Sequence, residues 1–372
     1  MKSEKLVRGI VSAFKPYQGE INPTELAKTL GLSTEDILPL HANENLIIEK
    51  EWLMEKVLEA VSTLDFRSYP DPETVEARDV IAGHFGIESS EIVLGNGADE
   101  VLDILAKVFI DPGCETIILE PTFGIYYLCT LLLGGKPQGI LLNEDFSANV
   151  DAVMDAVTPK TRIIFVCSPN NPTGNQYSKE DIKRLVEESG CIVAIDEAYA
   201  DFAEYTLIKW IHKYDNLIVI RSFSKSFGIA GLRIGFAATN STIAETVRKS
   251  VFPYNVNKLA QKMIPVLIDS WDYLSQKISE VKKEREFLYG QLLKNENLKP
   301  YPSQTNFLLV KVVKPNYTAK ILHSRLLDKG ILVRDRSGLP LLDNCLRITL
   351  GPRAVNQRLL ESINEIFDED QK

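Results

Sequence analysis

The chain is poor in the residues that build metal centres and disulfide frameworks. Cysteine occurs five times in 372 residues, as Cys114, Cys129, Cys167, Cys191 and Cys345, with no C-x-x-C pair and no short-spaced framework. An odd, scattered set fits a reducing compartment, and a cytoplasmic location is expected. Cys167 and Cys191 fall in or beside apolar runs, where a buried thiol is the default. The four histidines, His41, His84, His212 and His323, stand at no ligand spacing, which argues against a metal site. Basic clusters are missing and the formal net charge is −9. That argues against a nucleic-acid partner and leaves small molecules and a second subunit as expected partners. The most apolar run, Ile125 to Leu133, is half the length of a membrane span and stops at Gly134-Gly135. Met1-Lys2-Ser3-Glu4-Lys5 carries charge with no apolar stretch behind it, so neither a membrane segment nor a secretory signal is expected. Internal repeats and low-complexity tracts are also lacking.

What remains is an ordinary globular composition, 45% hydrophobic and 25% charged, at a length that predicts two domains. From about Trp52 to Val251, strand and helix patterns alternate, which predicts an α/β sheet covered on both faces. Four apolar runs end on residues with chemistry. Leu217 to Ile220 leads into Ser222-Phe223-Ser224-Lys225-Ser226-Phe227-Gly228, with Arg233 eight positions beyond Lys225. A lysine there suits covalent amine chemistry beside a bound phosphate, although most lysines are solvated surface charges. Ile192 to Ile195 ends on Asp196, followed by Glu197-Ala198-Tyr199. A run so apolar reads as a strand buried on both faces, so its terminal carboxylate would be partly desolvated and in need of a cation. The plainer alternative for Asp196 is a helix N-cap. Ile163 to Cys167 runs into Ser168-Pro169-Asn170-Asn171-Pro172-Thr173-Gly174, a turn-rich loop. Ser178-Lys179-Glu180-Asp181 behind it resembles a capping box. Ile92-Val93-Leu94 leads to Gly95-Asn96-Gly97-Ala98-Asp99, then to Val101, Leu102, Leu105 and Val108 at helical spacing. Glycines before a helix start make an anion cradle, but the third glycine of a dinucleotide fingerprint is absent.

Ligands of open parallel sheets sit at the carboxyl ends of strands. Together these tips call for a ligand with a phosphate, an aldehyde for a lysine and a ring nitrogen for an aspartate. Pyridoxal 5'-phosphate meets all three requirements.

Leu267, Trp271, Leu274, Ile278, Val281, Leu288 and Leu292 follow 4-3 spacing on a charged background, which predicts one long amphipathic helix over about 259–293. Beyond it, Asn306 to Val310 and Leu346 to Leu350 read as strands flanking a helix-like Tyr317 to Lys329, the outline of a smaller α+β domain.

Asn-Pro-Thr-Gly (Asn171–Gly174), Asp-Glu-Ala-Tyr, Ser-Phe-Ser-Lys and Gly-Leu-Arg-Ile-Gly-Phe, in this order, resemble the fold-type I aminotransferases from about Pro16 to Arg353. Pro16-Tyr17, Ala42-Asn43-Glu44-Asn45, Arg67-Ser68-Tyr69-Pro70, Pro121-Thr122-Phe123-Gly124, Leu332-Val333-Arg334-Asp335 and Cys345-Leu346-Arg347-Ile348-Thr349 narrow the resemblance to histidinol-phosphate aminotransferases. One departure is Leu46-Ile47-Ile48-Glu49, where many relatives carry a Pro-x-Gly turn.

The resemblance implies an α/β fold with a mostly parallel seven-stranded sheet and a discontinuous small domain. Residues 46–255 would form the large cofactor-binding domain, and residues 1–45 with 256–372 the small one. It implies transamination between histidinol phosphate and 2-oxoglutarate, a step of histidine biosynthesis. Lys225 would capture the cofactor aldehyde and shuttle the substrate proton, and Asp196 would keep the ring nitrogen protonated. Tyr199 and Asn171 would hydrogen-bond the ring oxygen, and Phe123 would stack on the ring. Ser222, Ser224, Arg233 and the backbone of Ala98 and Asp99 would hold the phosphate, joined by Tyr69 from the second subunit of a homodimer. Arg347 would clamp the α-carboxylate; Arg334 and Tyr17 would hold the substrate phosphate, with Asn43 also at the substrate. Histidinol phosphate has no α-carboxylate, so Arg347 must serve its phosphate in one half-reaction and the glutamate carboxylate in the other. For Arg334 the plainer alternative is a salt bridge to a carboxylate such as Asp335. Rival expectations are an aromatic or broad amino-acid aminotransferase, a threonine-phosphate decarboxylase, and a silent binding module on the same fold.

Overall fold

The computed structural model describes residues 6–13 and 21–369. Tyr17, expected at the substrate phosphate, lies outside the described residues. Strand β1 (Leu38–Pro39) belongs to a small ladder considered below. The central sheet then takes β2 (Ile92–Gly95), β3 (Glu115–Glu120), β4 (Lys136–Leu141), β5 (Thr161–Cys167), β6 (Ile192–Asp196), β7 (Leu217–Ser222) and β8 (Gly235–Ala238). Their spatial order is β2-β8-β7-β6-β5-β3-β4. Only β8 runs against its neighbours, β2 and β7; the other pairings are parallel.

The apolar runs become two-sided strands because successive side chains point to opposite faces. Ile164, Val166, Val193 and Ile195 enter one core cluster, while Ile163, Phe165, Ala194 and Ile220 enter the cluster behind the sheet. Helix 98–109 buries Val101, Leu102 and Leu105 in that rear cluster, as their spacing requires. Ser178 caps the helix Lys179–Glu188, its Oγ accepting the Asp181 N–H at 3.0 Å.

A third cluster forms around an antiparallel sheet of β9 (Leu298–Pro300), β10 (Phe307–Val312), β12 (Arg334–Asp335) and β13 (Cys345–Thr349), in the order β12-β13-β10-β9. Phe307, Leu308, Leu346 and Ile348 pack there with Leu359, Ile363 and Ile366 of the last helix, Arg353–Glu369. β11 (Ile331–Leu332) pairs in parallel with β1 and so ties the segment before residue 40 to this part.

The single helix expected at 259–293 is two helices, Lys258–Asp269 and Trp271–Leu292, meeting at Ser270 (φ −93, ψ 19). Ser270 Oγ turns back to the Val266 carbonyl at 2.9 Å, a bond that bends helices. The two halves also serve different cores. Met263, Ile264 and Leu267 pack under the central sheet, and Ile278, Val281 and Leu288 pack on the antiparallel sheet. The helical segment expected to join the two domains thus packs its first half on the central-sheet core and most of its second half on the antiparallel-sheet core.

Candidate active site

Because β8 reverses direction between β2 and β7, strands β2, β5, β6 and β7 all run the same way. Their carboxyl ends, Gly95, Cys167, Asp196 and Ser222, share one edge of the sheet. Gly235 of β8 is the register partner of both Gly95 and Ser222 there. A Cβ on Gly235 would stand 2.3 Å from the Ala98 nitrogen, and one on Gly97 (φ +89) 2.6 Å from Arg233 Nη2. The first contact is with backbone and excludes any side chain, and at Gly97 the left-handed φ favours glycine while a Cβ would push the Arg233 guanidinium away, so these two glycines let the helix start and Arg233 close on one spot. Arg233, itself left-handed at φ 55, donates from Nη1 to Ser224 Oγ at 3.5 Å and from Nη2 to Asp99 Oδ2 at 2.9 Å. The Ser224 N–H donates to Ser222 Oγ at 3.1 Å. Ser222, Ser224, Arg233, Ala98 and Asp99, expected as a phosphate cradle, thus converge. The Asp99 carboxylate, which holds Arg233, went unnoticed in the sequence, where only its backbone was considered.

Asp196, 4% exposed, accepts from Tyr126 Oη at 2.7 Å and from the Ala198 N–H at 3.0 Å. Burial pushes its carboxyl above the usual range, against the opposing pull of the Tyr126 hydrogen bond. Tyr126 is the main residue that the sequence did not reveal, because it sits inside the apolar run from Ile125. Lys225, in the turn after β7, reaches the Ala42 carbonyl at 3.4 Å and lies 5.7 Å from the centre of the Tyr199 ring. Desolvation first, then the charge of Arg347, lowers its amine to about 8.

The antiparallel sheet supplies the opposite wall. Buried Arg347 donates to Asn171 Oδ1 at 2.7 Å and to the His41 carbonyl. Asn171, expected to face a cofactor ring, uses its Oδ1 to orient Arg347, a contact that the sequence did not reveal. Tyr199, also buried, accepts from Asn43 Nδ2 at 2.9 Å, and the Asn43 N–H donates to Thr349 Oγ1 at 3.0 Å. Burial holds the Tyr199 phenol well above its ordinary value. Arg334 and Arg347 are cross-strand register partners of β12 and β13, which puts two cationic side chains on the same face of the sheet. Phe123 is half-buried, edge-on to Tyr126 at 6.0 Å. Tyr69 stands apart, 77% exposed and stacked on Tyr254 at 4.6 Å. The departure at Leu46-Ile47-Ile48 is filled with core, Ile47 joining one cluster and Ile48 the other.

An amine of lowered proton affinity, a buried carboxylate, and a cradle of hydroxyls, N–H groups and arginine suit pyridoxal 5'-phosphate. A profile of the family Aminotransferase class I and II matches residues 35–363. The chain is 36% identical over 370 residues to the histidinol-phosphate aminotransferase of Christiangramia forsetii, covering 98% of each. It is 34% identical over 365 residues to that of Caldanaerobacter subterraneus subsp. tengcongensis, covering 98% of this chain and 99% of the relative. In fold it resembles the crystal structure of histidinol-phosphate aminotransferase from Sinorhizobium meliloti in complex with pyridoxal-5'-phosphate, with a TM-score of 0.84, 22% identity and 97% and 98% of the two chains covered. The L-threonine-O-3-phosphate decarboxylase of Porphyromonas gingivalis has a TM-score of 0.78 at 24% identity, covering 89% of this chain and 100% of that one. The match along nearly the whole chain, on top of the convergence at the sheet edge, means that this protein belongs to the class I and II aminotransferase family.

Proposed function

We propose that the protein is a pyridoxal 5'-phosphate-dependent histidinol-phosphate aminotransferase that passes the amino group to 2-oxoglutarate. The observation that carries this reading is the pairing of Arg334 with Arg347 across β12 and β13, on the face from which Arg347 reaches Asn171. Such a pair favours a substrate with a dianionic end. Bound pyridoxal 5'-phosphate supplies the electron sink and carries the amino group between the two substrates.

The chain's own groups do the rest. Ser222, Ser224, Arg233 and the first N–H groups of helix 98–109 bind the cofactor phosphate. Asp196, held by Tyr126, keeps a proton on the ring nitrogen, because a buried carboxylate is stabilised by a cation beside it. Lys225 Nζ, lowered to about 8 by burial, would be the group that holds the cofactor aldehyde, and the same amine would move the proton of the substrate Cα. Tyr199 offers its hydroxyl and Asn171 its amide N–H to the ring oxygen, while the Asn171 carbonyl orients Arg347, which takes the carboxylate of glutamate or the phosphate of histidinol phosphate. Arg334 serves the phosphate alone.

Two parts of this reading concern assembly. The chain divides into a large unit around the central sheet and a discontinuous small unit around the antiparallel sheet, supported by their separate core clusters. The protein works as a homodimer in which Tyr69 completes the neighbouring site, supported by its 77% exposure on a stack with Tyr254.

The test is to incubate the protein and cofactor with histidinol phosphate and 2-oxoglutarate and to follow glutamate. Glutamate formation outpacing that from aromatic amino acids supports the reading. Release of carbon dioxide from threonine phosphate without turnover of histidinol phosphate overturns it.

A further inference from the structure

Arg221 is an anomaly in β7. It is 3% exposed in a strand whose four preceding residues are apolar and fully buried, and a buried charge is tolerated only when paired. Its partners come from the loop after Asp196. Nη1 donates to Glu197 Oε2 at 3.1 Å and Nη2 donates to Asp201 Oδ1. Glu197 is fixed further by the Leu207 N–H at 2.6 Å and the Thr206 hydroxyl at 2.5 Å. Asp201 uses its second oxygen, Oδ2, to accept from Ser226 Oγ at 2.5 Å. Ser226 is 1% exposed, and its carbonyl accepts from Asn45 Nδ2 at 3.2 Å.

The two ends of this network adjoin the two residues on which the chemistry rests. Glu197 follows Asp196, and Ser226 follows Lys225. We propose that Ser226, Asp201 and Arg221 are positioning residues that hold the backbone of Lys225 at a fixed place relative to Asp196, without touching cofactor or substrate. A carboxylate shared between a buried arginine and a serine hydroxyl makes charge-assisted bonds with strict geometry, so the turn carrying Lys225 is pinned from below as well as by its strand. Strand pairing ends at Ser222, and the turn beyond it also takes the Phe223 N–H to the Ile234 carbonyl and the Ser224 N–H to Ser222 Oγ, neither of which reaches Lys225 itself.

This inference rests on the aminotransferase reading. Its test joins two measurements on Ser226→Ala, which deletes the link without stranding a buried charge. In the holoenzyme, the glutamate half-reaction should lose about 10- to 100-fold in kcat with little change in KM, the scale of a small misplacement of a reacting group. In the apoenzyme, the pH dependence of trinitrobenzenesulfonate labelling, read on the peptide containing Lys225, should have a midpoint above that measured for the wild type. The amine leaves a position where burial, Arg347 and Arg233 lower its proton affinity while Glu44 and Asp99 raise it; Asp196, whose own charge it favours, faces it too. Asp201→Asn keeps an acceptor for Ser226 but drops the charge, so both readouts move the same way and by less. Wild-type kcat and midpoint in Ser226→Ala overturn the inference, as does a midpoint that moves only in Asp201→Asn. A wild-type protein inert toward glutamate would contradict the aminotransferase reading instead, and the apoenzyme labelling would still decide the positioning role.

Discussion

Replacing Arg334 by alanine separates the two half-reactions. Arg334 and Arg347 are register partners on adjacent strands, but they are not equivalent. Arg347 is 4% exposed and anchored to Asn171 and the His41 carbonyl, whereas Arg334 lies at the partly exposed end of β12. A carboxylate taken by Arg347 leaves Arg334 little to do, while a phosphate has oxygens for both. One hydrogen bond to a charged group contributes about 1.5 to 3 kcal/mol. At 1.4 kcal/mol per decade, Arg334→Ala should weaken histidinol phosphate by about 10- to 150-fold in apparent affinity. Glutamate should change several times less. Single-turnover absorbance, recorded separately for each substrate, gives both numbers on one preparation. Equal losses for histidinol phosphate and glutamate would refute the division of labour and make Arg334 a scaffold residue.

Tyr126→Phe removes the 2.7 Å bond to Asp196, which opposes the rise caused by burial. The Asp196 carboxyl should therefore rise further, and the acid limb of the kcat/KM profile should move to higher pH with a rate loss of about tenfold or more; an unmoved limb would contradict this. Lys225 is lowered from 10.5 to about 8 in the folded apoenzyme, so between those values the unfolded chain binds more protons and stability should rise with pH. Lys225→Met should abolish that rise, worth on the order of 1 to 3 kcal/mol after allowance for partial exposure, in urea titrations at pH 7.5 and pH 10; parallel curves would refute it. Mixing Tyr69→Ala and Lys225→Ala subunits should give activity above the mean of the two parents, because one site of each mixed dimer is intact. Activity equal to that mean would place Tyr69 in its own subunit's site or outside any site.

The strand tips were legible because each is a continuous apolar run that ends abruptly on Lys, Asp, Asn or Gly, a local pattern that burial on both faces imposes. The contacts across the cleft were not. Asn43 meets Tyr199 across 156 residues and Arg347 meets Asn171 across 176, and no local spacing records such meetings. The sequence therefore offered the ring oxygen as a partner for Asn171 but not Arg347, which takes its carbonyl oxygen. Tyr126 was hidden for a different reason, since an aromatic in an apolar helix reads as core until its hydroxyl partner is seen. The break at Ser270 escaped notice because both halves are amphipathic and the 4-3 spacing continues across it, so periodicity reports the buried face of each half but not the core it faces.

The convergence of four strand tips on one lysine is tested most directly by reducing the cofactor-loaded protein with borohydride and mapping the modified peptide by mass spectrometry. Fixation should occur on the peptide Ser222 to Arg233, at Lys225, and should disappear in Lys225→Ala while that variant still binds cofactor through Ser222, Ser224 and Arg233. Fixation at a different lysine, or undiminished fixation in Lys225→Ala, would contradict the assignment of this sheet edge as the active site.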